Sequence, residues 1–131
     1  MATHFIPEAV VLVVHADLLR RYGGRPGIRD RNLLASALAQ PKMTAGGKFL
    51  HRTIFDKAAA YGYHLCQNHP FIDGNKRIAF VVMDMFLQRN GWELCASERD
   101  AYATMITLAS GKLTKSALAA RLKEQSRRTS G

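Results

Sequence analysis

The sequence predicts an all-α fold: one bundle of about six helices, with at most a short β-hairpin flap. Three observations carry that expectation. Apolar residues recur at helical spacing in six stretches. Several of these open on Asp, Ser or Thr, whose side chains cap the free N–H groups of a helix N-terminus. With 131 residues, 47% of them hydrophobic, and four prolines, the chain can build one real core. No internal repeat or linker divides it. The domain is expected over residues 1–125, followed by a disordered basic tail, residues 126–131.

Pro7 to Arg21 reads as the first helix. Proline is tolerated in an opening turn, Val10, Val11, Val14, Leu18 and Leu19 repeat at helical spacing, and Gly23-Gly24 ends it. Asp30 then caps a helix to about Ala39 with Leu33, Leu34, Ala37 and Leu38 on its buried side. Pro41, Gly46 and Gly47 break the rhythm, so Gln40 to Arg52 is an exposed loop. Thr53 and Asp56 have the spacing of a capping box for a helix to about Asn68, and small residues at 58, 59, 60 and 62 let another helix approach it closely. The next helix, Asn75 to Asn90, is apolar around most of its circumference, which marks a buried helix. Trp92 to Ala96 reads as extended. Ser97 caps a helix across Arg99 to about Ala109, with Tyr102, Met105, Ile106 and Ala109 expected inside, and Thr114 caps the last, through about Gln125.

Several function classes are excluded early. Cys66 and Cys95 have neither metal spacing nor a disulfide framework, which suits a reducing, cytoplasmic setting. The apolar runs Ala9 to Val14 and Ile78 to Met83 are six residues each, too short to cross a bilayer, and no secretory leader is apparent. A formal charge of +9 calls for an acidic partner without saying which: nucleic acid, ATP or an acidic protein would each serve.

The chemistry is concentrated in His69-Pro70-Phe71-Ile72-Asp73-Gly74-Asn75-Lys76-Arg77. A residue before proline is biased out of right-handed helix, so His69 should sit where the third helix releases the chain. Gly74 lets the backbone turn into the next helix, whose N-terminus gathers unpaired N–H groups and the positive end of the helix dipole. Lys76 and Arg77 add full charges there, Asn75 an amide donor. Asp73 is a hard oxygen ligand suited to Mg²⁺, and His69 can move a proton near neutral pH. Each residue alone is an ordinary turn or cap residue. Together they fit phosphoryl transfer. Cys66, three residues before His69, suggests a Cys–His nucleophile, but it falls on the apolar stripe of its helix.

HPFIDGNKR is similar to the signature of the Fic/Doc family, HxFx(D/E)GNxR in the Fic branch and HxFx(D/N)xNKR in the Doc, or death-on-curing, branch. Lys76 resembles the Doc side. Arg21-Tyr22-Gly23-Gly24 and Gln88-Arg89-Asn90-Gly91 extend the likeness from about Phe5 to Leu122. The resemblance implies a helical Fic/Doc domain with a flap at 40–52. It implies His69 as general base, Asp73 as the Mg²⁺ ligand, and Gly74, Asn75, Lys76 and Arg77 as the cradle for the phosphates of ATP.

Two departures choose the reaction. AMP-transferring members have glycine where this chain has Lys76, and a second arginine where it has Phe80; without that arginine, transfer of the γ-phosphate by a Doc-type serine/threonine kinase is expected. No Ser or Thr has Glu four residues on, so the family's built-in inhibitory motif is missing. The resemblance therefore implies a type II toxin held by a separate antitoxin, with elongation factor Tu as target and translation as the process stopped. The alternatives are an AMP-transferring Fic enzyme and, from another class, a basic nucleic-acid-binding module. The module leaves His69 and Asp73 without a role and shows no helix-turn-helix pattern, so direct nucleic-acid binding by the isolated chain is not expected.

Overall fold

The computed structural model of the chain describes residues 2–129. Among the described residues six helices form: α1 (Glu8–Tyr22), α2 (Arg31–Ala39), α3 (Ile54–Asn68), α4 (Asn75–Arg89), α5 (Glu98–Ala109) and α6 (Lys115–Gln125). Between α2 and α3 a short 3-10 turn, Gln40–Lys42, leads into a hairpin of β1 (Thr44–Ala45) and β2 (Lys48–Phe49), paired Thr44 to Phe49 and Ala45 to Lys48. After α4 comes β3 (Trp92–Leu94), and after α6 comes β4 (Ser126–Arg128).

Helix starts follow local chemistry. Asp30, Ser97 and Thr114 accept hydrogen bonds from the N–H groups of Leu33, Asp100 and Ala117. At α3 the Thr53 hydroxyl accepts from Asp56 N–H (3.0 Å) while the Asp56 carboxylate accepts from Thr53 N–H (3.2 Å), the complete capping box.

The core is organised around α3, which packs against α4, α6 and α2. Ala58, Ala59, Tyr61, Leu65 and Cys66 of α3 meet Ile78, Ala79, Val82, Met83, Phe86 and Leu87 of α4 in one cluster. Tyr61 lies wholly inside, and its hydroxyl accepts from Ile6 N–H (2.9 Å), which fastens the N-terminal segment to the core. Lys57 is only 3% exposed. Its Nζ donates to the Arg52 carbonyl (3.0 Å) and lies 4.3 Å from the Phe49 ring centroid, so it ties the hairpin to α3.

Two expectations are corrected. Tyr102 and Ile106 are exposed, at 70% and 40%, and Ala109 is exposed too. Only Thr104, Met105 and Leu108 of α5 reach the core, because α5 packs with a narrow stripe and leaves its next face over an open cleft. The tail is also not disordered from residue 126: Ser126–Arg128 pairs antiparallel with Trp92–Leu94, and the Arg128 guanidinium sits 5.0 Å over Trp92. Residues 130–131 lie outside the described residues.

A Cβ at Gly62 would collide with the fully buried Met83 side chain at the α3–α4 contact. Gly62→Ala should therefore destabilise by about 1–2 kcal/mol despite alanine's better helix propensity, and a raised denaturant midpoint would contradict this contact. His64 Nε2 lies 3.1 Å from Lys115 Nζ, and burial, then the Lys115 ammonium, pushes the imidazole down to about 4. The neutral ring is the folded form, so the unfolded chain binds more protons between about pH 6.5 and 4 and stability falls as pH drops through that window. His64→Gln should flatten the fall of the unfolding midpoint across that range; an unchanged slope would rule out the His64–Lys115 pair as its source.

Candidate phosphate-binding active site

The catalytic-type loop begins where α3 ends. His69 is exposed and left-handed, φ 48° and ψ 55°, and among the described residues it is the only non-glycine with positive φ. Pro70 forbids continuation of the helix. A left-handed non-glycine residue costs on the order of 1–3 kcal/mol, so its surroundings must hold it there. Pro70 and Phe71 then turn inward and are buried.

The loop is closed by Asn75. Its Oδ1 accepts from Phe71 N–H (3.0 Å) and its Nδ2 donates to the Phe71 carbonyl (2.9 Å), in a buried setting. The Asn75 side chain is thus engaged in the loop, with one Nδ2–H and the backbone N–H left to donate. His15 of α1, which sequence reasoning did not single out, braces the loop from below. Its ring stacks on Phe71 at 3.7 Å and 14°, and Nε2 lies 2.8 Å from the Asp73 carbonyl. A carbonyl only accepts, so Nε2 carries a proton. The available signal was positional: His15 falls four residues after Val11, and the two are the buried residues of α1.

Gly74 is the N-cap of α4 at φ 77°, a left-handed position, and no side chain caps the helix. Ile78 N–H reaches the Gly74 carbonyl, so the N–H groups of Asn75, Lys76 and Arg77 are left open in the first turn. They point where the dipole is positive.

The segment from Tyr22 to Asp30 runs antiparallel along this loop. The Arg77 guanidinium lies 4.2 Å over the Tyr22 ring. Arg25 N–H donates to Asp73 Oδ2 (3.1 Å), Ile72 N–H to the Gly27 carbonyl (3.1 Å), and Ile28 bridges Phe71. Arg29 and Asp30 N–H both donate to the Pro70 carbonyl, at 2.7 and 3.0 Å. The Arg29 side chain finishes the pairing: Nε donates to the His69 carbonyl (2.6 Å) and Nη2 to the Asn68 carbonyl (2.8 Å). Gly24, at φ 127°, is needed here because a Cβ would come within 3.1 Å of Asp73 Oδ2 and 2.8 Å of Leu19.

Asp73 is exposed, and the N–H groups of Arg25 and Gly74 hold its carboxyl below the usual carboxylate range, so it is ionised near neutral pH. Each oxygen keeps a free lone pair. Among the described residues no three His, Cys, Asp or Glu side chains converge as a metal cage. A cation at Asp73 would therefore take most of its shell from water and phosphate oxygens, which is how Mg²⁺ is usually held.

Asp73, Gly74, Asn75, Lys76, Arg77 and, one turn on along α4, Phe80 line one side of a cleft of about 350 Å³, with Ala101, Tyr102, Met105 and Ile106 of α5 opposite. One wall is cationic and rich in N–H donors, the other apolar. The structure thus brings five of the six expected site residues together around one space. His69 is not in that wall; it stands exposed at the other end of the same loop. Cys66 is buried, and burial pushes its thiol up, which disfavours the nucleophile reading.

The family described as "Fic/DOC family" matches residues 5–87. A protein named Toxin Doc, from Mycolicibacterium smegmatis, is 41% identical over 75 residues, 57% of this chain and 58% of that protein. One named Protein kinase doc, from Escherichia phage P1, is 28% identical over 116 residues, 88% of this chain and 90% of the phage protein. The family match spans the loop, its bracing segment and nearly all of α4, and on that ground the chain belongs to the Fic/Doc family.

Proposed function

We propose that the chain is the toxin of a type II toxin–antitoxin pair and transfers the γ-phosphate of ATP to a hydroxyl of a protein. The observation that carries this reading is the α4 N-terminus: three open N–H groups flanked by Lys76 and Arg77, with ionised Asp73 beside them, facing a cleft with an apolar far wall. The names of the relatives, Toxin Doc and Protein kinase doc, support it. Phosphate oxygens match the N–H wall. The exposed Tyr102, with Phe80 and Ile106, offers a purine ring the flat apolar surface it needs.

In this mechanism the imidazole of His69 takes the proton of the target hydroxyl. The hydroxyl oxygen bonds to the γ-phosphorus, the bond from phosphorus to the β–γ bridging oxygen breaks, and ADP leaves with that electron pair. Lys76, Arg77 and the helix N–H groups hold the negative oxygens in place. Bound Mg²⁺, with Asp73 as its protein ligand, would neutralise phosphate charge. Phe80 presents no cation where AMP transfer would need one for the outgoing phosphates, which favours transfer of the terminal phosphate. The proposed setting is the bacterial cytoplasm, with elongation factor Tu as the first target to try and an antitoxin as the controlling partner. Among the described residues no helix is long and apolar enough to cross a membrane.

Incubating the protein with bacterial lysate, Mg²⁺ and ATP labelled on either the α- or the γ-phosphate tests the reading. Label should reach a protein from the γ position alone, and His69→Ala should lower the rate at least about a hundredfold while the fold persists. Label from the α position would mean AMP transfer; full activity in His69→Ala would remove the proposed base.

A further inference from the structure

The Tyr22–Asp30 segment contributes no lining residue to the cleft, yet its Arg29 side chain holds the strained residue of the loop. We propose that Arg29 is a positioning residue for His69, keeping its backbone left-handed and so fixing where the imidazole stands. This rests on the reading of His69 as the base.

The geometry is specific. The two consecutive carbonyls at the end of α3, of Asn68 and His69, are bound by two different nitrogens of one guanidinium, at 2.8 and 2.6 Å. A planar fork that grips two carbonyls fixes their relative orientation, and hence the backbone angles between them, which are the φ and ψ of His69. A lysine ammonium would keep the favourable charge at the helix C-terminus but would have no such fork. Arg29 is itself anchored, because its own N–H and that of Asp30 both donate to the Pro70 carbonyl. Arg29 thus reaches both sides of His69, with its side chain on the Asn68 and His69 carbonyls and its backbone N–H on the Pro70 carbonyl. Without the guanidinium, nothing else among the hydrogen bonds of the described residues restrains the His69 carbonyl. The left-handed state of a non-glycine residue would then be free to relax.

The test compares Arg29→Ala and Arg29→Lys with two controls. Asp30→Ala removes only the α2 cap and matches any general loss of stability. Tyr22→Leu alters the far end of the segment, where the ring contacts Arg77. Arg29→Ala should lower kcat for γ-phosphate transfer at least tenfold with KM for ATP within twofold, and Arg29→Lys should fail to restore kcat. Asp30→Ala should keep kcat, and Tyr22→Leu should raise KM by about two- to fivefold. The activity-independent readout is the ¹³Cα and ¹³Cβ shifts of His69, which report its backbone angles. They should move in Arg29→Ala and stay in both controls. Unmoved His69 shifts, or a kcat loss no greater than in Asp30→Ala, would overturn the proposal. If His69→Ala proved active, the base reading would fall, while the shifts would still decide whether Arg29 holds the loop.

Discussion

The Asn75 carboxamide closing on both backbone groups of Phe71 is the contact on which the rest of the site depends. It ties the first residue of α4 to the loop four residues earlier, in a place where neither group can turn to water instead. A buried donor or acceptor left without its partner costs about 1–3 kcal/mol, so the loop has one favoured closure. From that closure the other features follow. Phe71 is held inside against His15, Gly74 is forced into the left-handed turn that starts α4, and Asp73 is left outside with its carboxylate on the N–H groups of Arg25 and Gly74.

The positive charge of the chain gains meaning from where it is not neutralised. Arg20 and Arg21 pair with Asp17, Arg31 with Glu8 and Arg127 with Glu93, all on the exposed surface, where such pairs contribute little. Lys76 and Arg77 have no carboxylate partner among the described residues. Arg77 rests on the Tyr22 ring instead, an arrangement that orients a guanidinium without cancelling its charge. A cation held in place, at a helix N-terminus and beside an ionised aspartate, is suited to an anion that arrives with its own counter-cation. The net charge of +9 alone did not distinguish this from a nucleic-acid surface; what favours the nucleotide is that Lys76 and Arg77 stand at a helix N-terminus on the wall of one cleft.

Much of the fold was legible in the sequence because the deciding interactions are local. Asp30, Thr53 with Asp56, Ser97 and Thr114 each cap the helix they were expected to cap, since a cap needs only residues within one turn. The small residues of α3 announced the close approach of α4. What was not legible depends on long-range partners. Tyr102 and Ile106 have the spacing of buried residues, but the neighbour that would cover them is a cleft. Ser126–Arg128 is polar and looks like a tail, yet β3 supplies an edge for it to pair with. The motif spacing located the site, whereas the separate duties of its residues required three dimensions. Asn75, expected at the phosphates, also closes the loop, and Arg29, which no spacing marked out, grips the end of α3.

The proposed function stands on the first turn of α4 acting as a phosphate cradle. Its most direct test is a titration of the isotopically labelled chain with Mg²⁺ and a non-hydrolysable ATP analogue, followed through backbone amide shifts. Saturable shifts are expected at Gly74, Asn75, Lys76 and Arg77, with Tyr102 and Ile106 responding from the opposite wall. Shifts confined to the separate hollow at Tyr63, Gln67 and Thr114, or none at all, would contradict it.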